Sequence, residues 1–389
     1  MPHARPRPRD FAARLSAIRR DLHRHPEPAF EERRTAGVIA RMMTGLGWRV
    51  RTGVGGTGVV AVLKGARPGP CLGLRADMDA LRLQEANRVP YRSVVPGVMH
   101  ACGHDAHVAM LLGAAMLLTP RRSELAGSVK CLFQPAEEIG AGAEAMIRDG
   151  ALERPSVDAV IGLHVWSDLP FGAVGVRSGP ALAASDSFTV TLRGRGGHGA
   201  MPHRAVDVLV AAHALYGVLQ TLARTVDALQ PKVLSICAFN SGLAHNVLPD
   251  EAVMKGTLRT FDAAVRKDML AGIRRAVAGI ARAHGVRGEL SFPTHFPGVV
   301  NDAALAQYAA GRARALGLRV VEVGLSTGSE DFAWYQKRVP GLFLRLGAGR
   351  GRSIRAFHSS RFDLDDSLLP IGAGFLAECA IGYASTARG

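Results

Sequence analysis

Eight consecutive residues, His100-Ala-Cys-Gly-His-Asp-Ala-His107, bring together three histidines, a cysteine and an aspartate. A cysteine and a histidine separated by one glycine can face a single point, because glycine lets the backbone bend between them, and thiolate and imidazole are both good donors for a borderline metal ion. Three more pieces carry related chemistry. Phe133-Gln-Pro-Ala-Glu-Glu138 ends in adjacent carboxylates after an apolar run, so one can ligate a metal while its neighbour acts as general base toward an attacking water. Gly162-Leu-His-Val165 puts a histidine at the tip of an apolar strand, and Phe357-His358 places another near the C-terminus. One thiolate, three imidazoles and one carboxylate make five ligands, whereas a closed structural zinc site takes four, so the count suggests two metals and room for water. The mixed donors suit zinc, manganese, cobalt or nickel without choosing among them. Asp105 and His107 read as residues that cap or support the following helix rather than as ligands.

Two other motifs resemble catalytic signatures. Gly53-Val-Gly-Gly-Thr-Gly58 matches G-x-G-x-x-G, but a dinucleotide site needs a helix to begin there, and Val59–Lys64 reads as a strand, which favours a hairpin turn. Gly324-Leu-Ser-Thr-Gly328 matches the G-x-S-x-G nucleophile elbow, which would make Ser326 a nucleophile with His358 downstream. Because the loop continues into Ser329-Glu330-Asp331, an ordinary polar loop is the competing reading.

These residues need a scaffold. Phe11, Leu15, Ile18 and Leu22 recur at helical spacing, and a second helix is expected over 31–46, closed by Gly47. Trp48–Thr52, Val59–Lys64, Cys71–Arg75, Ser128–Gln134 and Ala159–His164 read as strands, with a helix over 104–118. Short apolar strands alternating with helices predict a largely parallel sheet, whose chemistry sits beyond the strands' carboxyl ends, where Asp77, Glu137, Glu138 and His164 fall. Residues 184–296 break the pattern with a β-α-β-β-α-β order, the signature of a ferredoxin-like layer. After it the α/β pattern resumes, ending in a helix over about 365–383. The expected organisation is therefore an α/β catalytic domain, residues 1–183 and 297–389, interrupted by a smaller α+β domain over 184–296.

The chain has 389 residues and a formal net charge of +15, with 48% hydrophobic and 21% charged residues. The arginines are spread along the chain with no long basic run and few aromatics, which argues against nucleic-acid binding. A positive field would instead draw in carboxylate substrates. The five cysteines form no C-x-x-C pair, no apolar run is long enough to span a membrane, and the N-terminus has no apolar signal region. A cytoplasmic protein with no membrane partner is expected.

Taken together, Leu74-Arg-Ala-Asp-Met-Asp-Ala-Leu81, Met99–His107, Gln134-Pro-Ala-Glu-Glu138, Gly162-Leu-His164, Gly194–His203, His245-Asn-Val-Leu-Pro-Asp-Glu251 and Gly328-Ser-Glu-Asp-Phe332 resemble, in this order, the hippurate hydrolase and N-acyl amino acid amidohydrolase family. That family includes plant auxin-conjugate hydrolases and bacterial aminoacylases. The resemblance covers nearly the whole chain. It implies a zinc-exopeptidase-like three-layer catalytic domain with a ferredoxin-like lid and dimerisation domain, and hence a homodimer or higher homo-oligomer. It implies two divalent metal ions held by Cys102, His104, Glu138, His164 and His358, with Glu137 as general base and Asp77 as the acid that orients a ligand histidine. His198 matches the residue that helps polarise the scissile carbonyl, of its own or of the partner subunit's substrate, and Asn246 and Arg259 match positions associated with the substrate carboxylate. The implied substrates are small N-acyl amino acids; a dipeptidase or other deacylase of the same fold is the nearest alternative. Two departures bear on loop shape: His358 is followed by Ser359-Ser360 rather than an early proline, and the tail reads Phe362-Asp-Leu-Asp-Asp366.

Overall fold

The computed structural model describes residues 8–350 and 356–386. They divide into two compact units: the described residues of Met1–Gly179, Val300–Gly324 and Asp331–Gly389 form the first, and Pro180–Val299 with Leu325–Glu330 the second.

The first unit is built on an eight-stranded mixed sheet. Its strands include β1 (Arg49–Val54), β2 (Gly58–Lys64), β3 (Arg67–Asp77), β4 (Ala126–Gln134), β5 (Ala159–Pro170) and β6 (Val174–Val176). The spatial order is β1-β2-β4-β3-β5, then Gly341–Gly349, β6 and Val320–Glu322. The middle four strands, β4, β3, β5 and Gly341–Gly349, are parallel, while β2 joins β4 antiparallel. Residues such as Leu72, Leu74, Ile161, Leu163, Leu342 and Leu344 are buried, as expected of strands covered on both faces. The glycine-rich segment at 53–58 is a hairpin turn between β1 and β2, as the strand character of Val59–Lys64 required.

Helices α1 (Pro8–Arg24), α2 (Arg33–Gly45), α3 (His104–Leu118) and α4 (Gly142–Arg148) flank these strands in sequence. α3 is apolar around nearly its whole circumference and packs on β3 and the C-terminal helix Leu369–Thr386. α1 differs from a simple amphipathic helix. Phe11, Leu15 and Leu22 are buried as its spacing predicts, but so are Arg19 and His23.

The second unit contains strands Ala184–Arg193, Lys232–Ser241, Glu251–Thr260 and Arg287–Ser291 and helices α5 (Val208–Leu222) and α6 (Ala263–His284). All neighbouring strands are antiparallel, in the order Lys232–Ser241, Glu251–Thr260, Ala184–Arg193, Arg287–Ser291. That order is the ferredoxin-like one. Alternate residues Phe188, Val190, Leu192, Ala252, Met254 and Leu258 bury with Leu215, Leu219, Met269 and Ile273 of the two helices. Residues 325–330 join this unit, which the linear reading placed with the other domain. The cause is backbone pairing: Ser326 N–H donates to Ala181 O at 3.0 Å and Ala183 N–H to Ser326 O at 3.0 Å. Among the described residues no helix is long and apolar enough to cross a membrane.

Candidate metal centre

The five expected ligands come from four loops and strands at the carboxyl-end side of the parallel strands. Cys102 and His104 flank Gly103, which has φ +93°, and a Cβ there would lie 2.5 Å from Val165 Cγ2. Only glycine suits this close approach, and the bend lets the thiol and the first imidazole of α3 turn to one side. Glu137 and Glu138 follow β4 in a turn whose preceding residue, Ala136, has φ +51°. His164 lies within β5, which runs past it to Pro170 alongside Gly341–Gly349. His358 is itself left-handed, φ +59°, and its N–H donates to Ala101 O at 2.8 Å, tying it to the Cys102 loop.

Hydrogen bonds to carbonyls assign the protons of two imidazoles. His104 Nδ1 lies 2.9 Å from Asp79 O, and His164 Nδ1 lies 2.6 Å from Val165 O. A carbonyl only accepts, so each Nδ1 carries the proton and each Nε2 offers a lone pair. These lone pairs face other donors. Cys102 Sγ is 3.5 Å from His164 Nε2, Glu138 Oε1 is 3.9 Å from His104 Nε2, and Glu138 Oε2 is 3.3 Å from His358 Nε2. Donors sharing one cation at about 2.0–2.3 Å lie roughly 3.3–3.8 Å apart in tetrahedral geometry, so two of these separations fall within the range of bound ligands and the third lies just above it. Cys102, Glu138 and His358 form one cluster within 4.8 Å, and His104, Glu137 and Glu138 form another. Glu138 belongs to both, with one oxygen toward each histidine.

The residues fit a cation on independent grounds. His104 Nε2 and Glu138 Oε1 are buried with no hydrogen-bond partner among the described residues. Leaving such atoms unpaired is costly, and a cation satisfies both. Burial also pushes the Cys102 thiol up to about 12, so a neighbouring cation is what would make it a thiolate.

Several neighbours have different roles from those the sequence suggested. Asp77 Oδ1 accepts from His107 Nδ1 at 2.6 Å, and Arg75 donates to Oδ2 at 2.5 Å. The Val165 N–H donates to His107 Nε2 at 2.9 Å, so both His107 nitrogens are engaged and neither is left for a metal. Asp77 thus holds His107, standing 3.8 Å from His104 Nε2, while the carbonyl of Asp79 orients His104. Burial opposes ionisation of Asp77, but His104 and Arg75 hold its carboxyl well below the usual range. Asp105 does not cap α3; it is buried between Arg19 Nε and His23 Nδ1, each 2.8 Å away. Glu137 is largely buried, with Oε2 3.9 Å from His104 Nε2.

Sequence reasoning missed Arg75, Asp79 and Asp331. Arg75 Nε donates to Gln134 Oε1 at 2.8 Å and Nη2 to Asp331 Oδ1 at 3.1 Å; Asp331 also accepts from Ala143 N–H at 2.9 Å. Asp79 Oδ2 accepts the Glu138 N–H at 3.0 Å. The alternation Arg75-Ala-Asp77-Met-Asp79 was the available signal, since every second residue of an extended segment shares a side.

In the second unit, His198 and Asn246 are exposed neighbours. His198 pairs with Val247 in a two-residue ladder, and Gly199 N–H donates to Asn246 O at 2.8 Å. The Ala200 N–H donates to His198 Nδ1 at 3.1 Å, which places the ring proton on Nε2. Arg259 is half-buried and reaches Ser329 Oγ at 3.3 Å. Ser326 lacks a nucleophile elbow: residues 323–330 form no helix, and its Oγ accepts from Gly328 N–H at 3.2 Å.

Comparison with known proteins agrees with this architecture. The model of peptidase family M20/M25/M40 matches residues 73–381. The chain is 40% identical to an N-acetylcysteine deacetylase of Bacillus subtilis over 379 residues, 95% of this chain and 97% of the relative. It is 43% identical to an N-acyl-L-amino acid amidohydrolase of Geobacillus stearothermophilus over 287 residues, 73% and 77% of the two chains. A crystal structure of a dinuclear metal binding peptidase of the M20 family from Bacillus subtilis superposes with a TM-score of 0.86 at 37% identity, covering 97% of this chain and 99% of that one. With a family model spanning most of its length and relatives this similar end to end, the chain belongs to peptidase family M20/M25/M40.

Proposed function

We propose that this protein hydrolyses the amide bond of N-acyl amino acids, releasing a carboxylic acid and an amino acid, at a two-cation centre held by Cys102, His104, Glu138, His164 and His358. The observation that carries the reading is the convergence of two Nε2 lone pairs, a thiol and both oxygens of Glu138 on one space, with Glu137 beside it. The names of the two relatives above supply the substrate class.

Two divalent cations bound there supply Lewis acidity at the scissile carbonyl and acidity to a nearby water. Glu137, largely buried and adjacent to His104, takes the proton from the attacking water and delivers it to the leaving nitrogen. Asp79 and Asp77 fix the surrounding imidazoles so that little reorganisation accompanies the reaction. His198, with its proton on Nε2, is assigned to the developing oxyanion. Arg259 and Asn246 are assigned to the free carboxylate, for which a guanidinium fork is suited.

Finer properties belong to the same proposal. The cations are zinc, manganese, cobalt or nickel. A homodimer forms through the second unit, supported by exposed Val233 and Phe239 on the edge strand Lys232–Ser241 and exposed Tyr216 on α5, stacked against Phe239. The free thiols of its cysteines suit a reducing, cytoplasmic setting.

The test is hydrolysis of a panel of N-acyl amino acids before chelation, after chelation and after addition of each metal, with Glu137→Gln alongside. Activity should vanish with the metal and return with it, and Glu137→Gln should bind metal yet lose most turnover. Full activity after verified metal removal would exclude the mechanism.

A further inference from the structure

Adjacent residues at a strand end ordinarily point to opposite sides, yet Glu137 and Glu138 both reach within 3.9 Å of His104 Nε2. The backbone ahead of them explains this. Ala136 adopts φ +51°, a left-handed conformation that is sterically disfavoured for a residue with a Cβ. Something must hold it there. Its carbonyl accepts from Ala141 and Gly142 N–H at 3.2 Å, and its own buried N–H donates to Glu32 Oε1 at 2.9 Å.

Glu32 is fully buried and does not cap α2, although it stands at that helix's N-terminus. Glu27 does the capping, accepting from Arg34 and Thr35 N–H at 2.8 Å each. The second oxygen of Glu32 is instead bonded by the Thr57 hydroxyl. Thr57 belongs to the glycine-rich hairpin turn that resembles a dinucleotide loop. Its glycines serve close packing: a Cβ on Gly58 would lie 3.1 Å from Pro135 Cδ, and one on Gly55 would lie 2.6 Å from Met146 N. Gly55 N–H also donates to Asp149 Oδ2 at 2.8 Å. The hairpin is therefore seated directly against the turn that carries the two glutamates.

We propose that Glu32, clamped by Thr57 of the glycine-rich hairpin, is a positioning residue for Glu137: by holding the Ala136 N–H it fixes the left-handed turn that aims the general base at the metal centre. This rests on the proposed role of Glu137. The effect should fall on Glu137 rather than on the ligand Glu138, because Glu138 has a separate backbone anchor in Asp79.

The test compares Glu32→Ala, Glu32→Gln and Thr57→Val in the metal-loaded full chain, measuring kcat, KM and metal content on one N-acyl amino acid, with Glu137→Gln in parallel. Misplacing a catalytic group by an ångström can cost on the order of a hundredfold, so Glu32→Ala should lower kcat by about tenfold or more with KM and two-metal content unchanged. Glu32→Gln can still accept from Ala136 and donate to Thr57, and should keep kcat within about threefold of wild type. Thr57→Val should lose less than Glu32→Ala, and the double variant should lose no more than Glu32→Ala alone, because the two residues act through one contact. If Glu32→Ala does not fold, Thr57→Val decides, a severalfold kcat loss with metal retained supporting the inference. Wild-type kcat in Glu32→Ala, or in Thr57→Val when that variant decides, overturns it. Metal loss in step with activity, or a Glu32→Gln as impaired as Glu32→Ala, also overturns it. If Glu137→Gln is inactive while Glu32→Ala is not, only this inference fails; an active, metal-loaded Glu137→Gln removes the base assignment as well.

Discussion

Replacing Arg19 by methionine should destabilise the first unit severely although Arg19 lies outside the proposed ligand set. The guanidinium is fully buried and serves three carboxylates: Asp105 at 2.8 Å, Asp363 at 2.8 Å and Asp366 at 3.1 Å. Removing one member of a buried ion pair typically costs about 3–5 kcal/mol, because the remaining charge stays buried without its partner. Here each carboxylate keeps another contact. His23 stays with Asp105, the Tyr91 hydroxyl with Asp363 and Arg20 with Asp366. The lower end of that range, about 3 kcal/mol, is therefore the expected loss. For a cooperative unit of this size that is roughly 6–12 °C in the midpoint of thermal unfolding. Arg19→Lys should fall between the two, since an ammonium keeps the charge but cannot fork to three acceptors. Calorimetry at pH 7 on the metal-free proteins measures this without interference from metal binding. A midpoint within 1–2 °C of wild type for Arg19→Met, below roughly 1 kcal/mol, would refute the reasoning and mean that the carboxylates are relieved by water or protonation.

The same cluster gives a pH prediction. Burial opposes the charge on His23, but hydrogen bonds to Asp105 and Glu85 outweigh it and lift its pKa to about 9. The folded value lies above the unfolded one, so this stabilisation is complete below about pH 6.5 and is lost as pH rises toward 9. Urea unfolding of wild type should show stability declining by about 3 kcal/mol across that window, a slope that His23→Gln removes; an unchanged slope would contradict the assignment. Gly55→Ala forces a Cβ to 2.6 Å from Met146 N at φ +66°, and should cost about 2–4 kcal/mol in urea unfolding, whereas a tolerated alanine would mean that the hairpin is not packed as described.

Much of the candidate site could be read along the chain because its proposed donors sit where local patterns are strong. Cys102-Gly-His104 is a local bend, and His164 and the Glu137-Glu138 pair follow or lie in apolar strands of obvious period. The hairpin at 53–58 was legible for the same reason: the strand character of 59–64 left no helix for a nucleotide phosphate to meet. What escaped depends on pairings that only the sheet order creates. Arg75 and Asp331 are 256 residues apart, and Arg19 and Asp363 are 344 apart. Nothing in the local sequence distinguishes a buried Arg19 from the solvated arginines around it. Asp77 could be seen to orient a histidine, but that this is His107, with Asp79 serving His104, follows from the start of α3 against β3. The placement of 325–330 in the second unit likewise rests on ladder bonds to Ala181 and Ala183 that no periodicity announces.

Anomalous diffraction recorded at the absorption edge of the bound metal would test the metal assignment most directly. Two peaks per chain are expected, together contacting Cys102 Sγ, Nε2 of His104, His164 and His358, and the Glu138 carboxylate. A single peak, or peaks bonded to His107 or Asp105 in place of these atoms, would contradict it.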